Sequence, residues 1–170
     1  MAAPPRQLVA VADSNVPLDL AGGRDVVVDA VSEIRRRLRG RKLLIPPTVV
    51  DELAYLARFA EEADTRENAR TFLRQYRQWG CELVNVLAID ERIIKEAAGA
   101  LRERAILPKV EVNDSFIVVE SAAMGASLLL TTDEHVRGID FQQLKFVLEK
   151  FGFVPPVIAT PREIIQNFLR

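Results

Sequence analysis

Four carboxylates, Asp13, Glu52, Asp114 and Asp133, stand where apolar segments give way to polar ones, and they are the residues best placed to do chemistry. The chain holds one histidine, His135, and one cysteine, Cys81. Zinc sites built from Cys and His therefore lack their ligands, and cleavage by a histidine pair is excluded. A Cys–His dyad would require Cys81 to meet His135. There is no G-x-S-x-G elbow, no G-x-x-x-x-G-K-[ST] loop and no G-x-G-x-x-G turn. Carboxylates are the abundant catalytic groups that remain.

Carboxylates within a few ångströms raise one another's pKa, and burial adds to the cost. A divalent cation offsets that repulsion. Hard oxygen ligands without imidazole or thiolate select Mg²⁺ or Mn²⁺, ions that serve phosphoryl chemistry. Asn15, Thr131 and Thr132 lie close enough in sequence to orient ligands or waters; β-strand propensity accounts for the threonines equally well.

Each acid also has a structural alternative. Asp133 fits a turn cap, and Asp114 or Asn113 fits a helix N-cap. Asp13 is harder to explain that way, because an acid ending an apolar strand needs partners or a cation to offset its desolvation. In the adjacent pair Asp51-Glu52, Thr48-Val-Val-Asp51 matches a capping box and assigns Asp51 a local role. Val49, Leu53, Leu56 and Ala60 mark the core stripe of that helix. Glu52 falls about 60° from the stripe, at its border, while Asp51 points to the far side.

The elements that must position these acids alternate between short apolar runs and helical periods. This alternation predicts a mainly parallel sheet of four to five strands flanked by helices, a three-layer α/β/α domain. The expected strands are 8–12, 43–45, 82–87, 127–131 and 157–159. The expected helices are 25–39, 49–63, 66–79, 91–104 capped by Asp90, 115–124, 141–150 and 161–170. In such sheets ligands bind beyond the carboxyl ends of the strands. Asp13 and Asp133 each follow a strand, and would share an edge if those strands are neighbours. Glu52 lies in the first turns of the helix after the second strand. Asp114 opens a helix that is apolar nearly all round and therefore expected to be buried.

At 170 residues, 49% hydrophobic and 28% charged, the chain fits one domain, 8–170, behind a short flexible tail at 1–7. No apolar run reaches a bilayer-spanning length, and the start lacks the features of a signal peptide. The single cysteine makes a reducing cytoplasm the expected address. Cys81 is expected to pack as a small hydrophobe, and His135 to sit in an exposed loop.

The net charge of -1 gives no bulk signature of a polyanion partner, so any basic footprint must be local. Arg66, Arg70, Arg74 and Arg77 fall within about 80° of one another on a helical wheel, a stripe that suits phosphate binding. A second cluster, Arg35 to Lys42, straddles a helix end, where cations are favoured for structural reasons. Tyr55, Tyr76 and Trp79 have spacings expected of core packing rather than of base stacking.

Val11-Ala-Asp13-Ser-Asn15-Val, Pro47-Thr-Val-Val-Asp-Glu52-Leu, Asn113-Asp114-Ser-Phe-Ile and Leu129-Leu-Thr-Thr-Asp133, in that order and context, resemble the PIN-domain nucleases. The resemblance runs to the last strand and helix, including Val157-Ile-Ala-Thr-Pro-Arg-Glu. It implies dependence on Mg²⁺ or Mn²⁺ and endonucleolytic cleavage of RNA. Asp13, Glu52, Asp114 and Asp133 match the acidic positions, and Thr131 the accompanying hydroxyl. It further implies homodimers and, for bacterial toxins of the virulence-associated C type, a partner antitoxin; other members mature RNA, and some only bind. Residues 134–156 and 57–77 are longer than in compact toxin members. A haloacid-dehalogenase-type phosphatase would need an aspartate where Asn15 stands.

Overall fold

A computed structural model of the protein describes residues 7–168, so nearly all of the expected tail lies outside the described residues. Five strands, β1 (Ala10–Ala12), β2 (Leu43–Ile45), β3 (Cys81–Leu83), β4 (Leu128–Leu130) and β5 (Val157–Ala159), form one sheet. Its order is β3-β2-β1-β4-β5 and every pairing is parallel. Ala10 to Ala12 and Leu128 to Leu130 are buried throughout, without alternation, as strands covered on both faces must be. The chain builds outward from β1 through β2 to β3, then returns to place β4 and β5 on the other side. The order therefore reverses between β1 and β4, the neighbours that carry Asp13 and Asp133 at their ends. Such a switch point opens a crevice at the carboxyl edge.

The helices are α1 (Asn15–Ala21), α2 (Asp25–Leu38), α3 (Pro47–Phe59), α4 (Ala63–Gln75), α5 (Glu91–Glu103), α6 (Val112–Ala123), α7 (Glu134–Arg137), α8 (Phe141–Glu149) and α9 (Pro161–Phe168). The short α1 and α7 are not legible as apolar periods. In α1, Pro17 sits within the first turn, where a missing N–H costs little. Helix α6 buries Ser115 and every residue from Ile117 to Ala122, while packing against α5 and α3. Each large apolar side chain buried there is worth about 1.5–3 kcal/mol. In α8, within the stretch that is longer than in compact toxin members, Leu144, Val147 and Leu148 are buried, whereas Phe141 remains 44% exposed.

Four expectations are corrected. The capping box at Thr48 is absent, because α3 starts earlier, with Pro47 in its first turn and no side-chain cap from its own flank. Thr48 instead donates its N–H (3.1 Å) and hydroxyl (2.7 Å) to Glu120 of α6, a carboxylate that is 5% exposed. Helix α4 ends at Gln75, and Tyr76–Trp79 continue as a 3₁₀ turn that stacks Trp79 on Phe72 at 5.6 Å. The third strand stops at Leu83, and Val86 stands in solvent. Tyr55 is 61% exposed, paired with exposed Phe59 at 5.1 Å, and so lies outside the core. Among the described residues no helix is long and apolar enough to cross a membrane.

Candidate active site

The β1–β4 pairing sets the first half of the site. Ala12 registers with Leu130, and the Asp13 N–H continues the ladder by donating to the Leu130 carbonyl at 2.9 Å. Asp13 is thereby held at the switch point with 1% of its surface exposed. Its Oδ1 accepts from the Ser14 N–H at 2.6 Å and the Ser14 hydroxyl at 3.1 Å, and its Oδ2 from the Thr131 hydroxyl at 2.6 Å. Burial raises the Asp13 pKa. The Thr131 and Ser14 hydrogen bonds oppose that shift, and repulsion from Asp133 adds to it.

Glu52 reaches the same place from α3. The Ser14 hydroxyl lies 3.1 Å from Glu52 Oε2 as well as from Asp13. A serine hydroxyl has one proton to donate, so it cannot satisfy two ionised carboxylates at once. Burial raises the Glu52 pKa, offset by Ser14, and Asp13 raises it further. A hydrogen bond from Asn113 opposes the rise.

Asp114 comes from α6, within the first turn rather than at its cap, which is Glu111. The N-cap reading of Asp114 therefore does not hold. Burial pushes its pKa up to about 7, reinforced by repulsion from Asp13, Asp133 and Glu111. Its Oδ2 is buried with no hydrogen-bond partner, a state that is rare in folded proteins and calls for a partner.

Asp133 does cap a helix. Its Oδ1 accepts from the N–H groups of His135 (2.7 Å) and Val136 (3.2 Å) at the start of α7. Its own N–H donates to the Thr131 hydroxyl at 2.9 Å. Thr131 thus ties the two strand-end acids together. Asn15 is exposed at the start of α1 and Thr132 is half-buried. Of the three polar neighbours singled out in the sequence, Thr131 is the one bonded to an acid. Sequence reasoning passed over Ser14, although a hydroxyl beside a strand-end acid is the signal that would have found it.

The four acids converge on one edge without closing on a common point: among the described residues no three Asp, Glu, His or Cys side chains stand ready to hold a metal ion. The residues nevertheless fit a hard divalent cation. All donors are oxygens, two of the carboxylates and the Asp114 carboxyl have raised pKa values, and the orphaned Asp114 Oδ2 lacks the partner that a cation provides.

The arginine stripe is divided. Arg66 donates to the carbonyls of Ala60 and Glu61, and Arg70 to that of Ala57 at 2.8 Å. Both therefore serve carbonyls at the end of α3, where positive charge is favourable. Arg74 pairs with Glu67 at 3.0 Å, and Arg77 lies over the Tyr76 ring at 5.6 Å. In the second cluster, Arg36 and Arg37 hold Glu33. Arg35 crosses Gly80, where a Cβ would come within 2.4 Å of its Nε, and donates to the Gln78 carbonyl at 3.3 Å. Gly80 has φ +67°, so a side chain there would be strained and would also displace the Arg35 guanidinium. His135 is exposed on α7, and Cys81 is buried at the start of β3, its thiol pushed up to about 12 by burial.

Comparison with known proteins agrees with this architecture. Among curated proteins, none matches the chain significantly by sequence. A chain in the crystal structure of VapBC2 from Rickettsia felis, bound to a DNA fragment from its promoter, superposes with a TM-score of 0.58. The match covers 90% of this chain and 98% of that one at 15% identity, a likeness of fold. The sequence model of the PIN domain matches residues 10–142, from the first residue of β1 into α8 and across all four acids. The chain belongs to the PIN-domain nuclease family.

Proposed function

We propose that the protein is a Mg²⁺- or Mn²⁺-dependent endoribonuclease whose centre is Asp13, Glu52, Asp114 and Asp133. The observation that carries this reading is the buried, unpartnered Oδ2 of Asp114, in the repulsive field of Asp13 and Asp133. Asp13, Asp114 and Asp133 would hold the ion, Asp133 through whatever its Oδ1 cap leaves free. Bound there, a divalent ion activates water and neutralises charge on the attacked phosphate.

The chain's own residues do the rest. Asp13 is locked by Thr131 and Ser14, so it stays in place when the site fills. Glu52, with its raised pKa and shared Ser14 hydroxyl, takes the proton of the attacking water. Water oxygen bonds to phosphorus as the bond to the 3′ oxygen breaks, and the departing 3′ oxygen takes a proton from solvent, leaving a 3′-hydroxyl and a 5′-phosphate, in line with the family resemblance. Exposed Arg74 and Arg77 supply local positive charge for the RNA backbone, while Arg66 and Arg70 contribute mainly by holding α3. The family resemblance and the VapBC2 neighbour support a toxin held by an antitoxin partner; the homodimer is proposed from the family resemblance alone, and the cytoplasmic address from the single cysteine.

Asp133's commitment to α7 favours a second reading, an inactive PIN fold that binds protein or RNA. Purified protein incubated with a mixed RNA pool in Mn²⁺ separates the two. Cleavage that stops with EDTA, and is lost in Asp13→Asn and Asp114→Asn, supports the nuclease. Cleavage surviving both treatments sinks the acid site. RNA binding that persists in Asp13→Asn, with no product from any form, supports the binding module.

A further inference from the structure

Beside the acid centre lies an open cavity of about 420 Å³ whose lining includes Glu52, Tyr55, Lys95, Val112, Asn113 and Phe116. It is continuous with the site, because Glu52 and its hydrogen-bonding neighbour Asn113 belong to both. Tyr55 follows Glu52 by three residues on α3, so the two side chains share a helix face. Tyr55 is 61% exposed, and Val112, also on the lining, is 42% exposed. Tyr55 packs against Phe59 at 5.1 Å with the planes tilted 45°. Tyr55 on the cavity lining, with exposed Phe59 packed against it, is apolar surface that water disfavours, the kind of patch that marks a binding surface.

The charges around the cavity decide which part of a nucleic acid it would take. Asp51, expected on the far side of α3, in fact lines it together with Glu52, as does Glu91, and Lys95 is paired to Glu91 at 2.8 Å. Such a wall repels phosphate. It offers carboxylate oxygens that accept from amino groups, as acidic side chains do from cytosine N4. An aromatic face stacks any base.

We propose that this cavity is a base-binding subsite: Tyr55 stacks the nucleobase next to the scissile phosphate, and Asp51 and Glu91 favour bases bearing an exocyclic amine. This rests on the ribonuclease reading of the adjacent acids. It assigns recognition to the face between α3, α5 and α6.

The test uses fluorescently labelled single-stranded A, C, G and U homopolymers, titrated by anisotropy in EDTA so that no cleavage intervenes. The proteins are wild type, Tyr55→Ala and Tyr55→Phe. Stacking predicts that Tyr55→Ala binds about 5- to 100-fold more weakly, and that Tyr55→Phe retains wild-type affinity. Uracil should be the weakest ligand, and Asp51→Asn with Glu91→Gln should narrow its disadvantage. Cleavage sites mapped in Mn²⁺ should show the same base preference, relaxed in Tyr55→Ala. Equal affinity and an equal cleavage pattern in Tyr55→Ala would overturn the subsite, and would leave this face to a protein partner, while the nuclease reading survives. Tyr55-dependent binding without any cleavage would keep the subsite and remove the nuclease. Absence of both binding and cleavage would remove both.

Discussion

The Thr131 hydroxyl donates to Asp13 Oδ2 at 2.6 Å across the β1–β4 pairing, joining residues 118 positions apart in the chain. The same oxygen accepts the Asp133 N–H at 2.9 Å. One side chain thus fixes the two acids at the switch point of the sheet. Thr131→Val keeps the shape and removes both bonds. It should lower metal affinity and cleavage by about 10- to 100-fold, the usual cost of losing a group that orients a ligand. Thr131→Ser should recover most of the loss, as read by Mn²⁺-dependent RNA cleavage.

The raised Asp114 pKa, about 7 against an ordinary 3.8, makes a pH prediction with a definite sign. Between those values the folded protein holds a proton that the unfolded chain releases, so stability falls as pH rises through this window. Without divalent ions the protein should melt a few degrees higher at pH 5 than at pH 8. Asp114→Asn should flatten that difference. Added Mn²⁺ should restore more stability at pH 8 than at pH 5, because it opposes the charge that burial disfavours. Thermal melts at the two pH values check all three outcomes.

Glu120 joins α3 to α6, the helices that carry Glu52 and Asp114. Glu120→Ala leaves the Thr48 N–H and hydroxyl without their acceptor and should cost about 1–3 kcal/mol, measured by urea unfolding. Glu120→Gln, which keeps an acceptor oxygen, should cost less.

Arg70 and Arg74 both reach Glu67, at 4.0 and 3.0 Å, but Arg70 alone of the two also donates to the Ala57 carbonyl near the end of α3. Arg70→Ala removes a donor to the α3 end and should destabilise the fold by about 1 kcal/mol. Arg74→Ala removes an exposed ion pair and should stay within about 0.5 kcal/mol of wild type. RNA affinity should show the opposite ranking, with Arg74→Ala the weaker binder. Parallel unfolding and binding titrations distinguish the two roles.

The parts of this molecule legible in its sequence are those governed by local pattern. Leu43-Leu-Ile45 and Val157-Ile-Ala159 are apolar runs with turn signals beside them, and both are strands with the expected bounds. Asp90 caps α5 as its position before Glu91 suggests, accepting from the Arg92 N–H at 2.9 Å. The neighbouring strands that bring Asp13 and Asp133 together follow the logic of a parallel sheet. Contacts made at a distance stayed hidden. Thr48 looks like a local cap until Glu120, 72 residues on, arrives to take both of its donors. The Arg66 and Arg70 stripe has helical spacing whether it meets a phosphate or a carbonyl. Tyr55 falls beside the core positions of α3 by count, yet points outward, because a wheel gives a direction without saying what covers it. Ser14 shows the same limit: its neighbour Asp13 is visible in sequence, but its reach to Glu52 depends on where α3 begins.

The central claim is that these carboxylates form a centre for a divalent ion, and calorimetric titration of the protein with Mn²⁺ near neutral pH tests it most directly. Saturable binding is expected, with protons released as Asp114 ionises, and with affinity reduced at least about tenfold in Asp13→Asn and Asp114→Asn. Binding that is absent from the wild-type protein, or unchanged in both variants, would contradict the account.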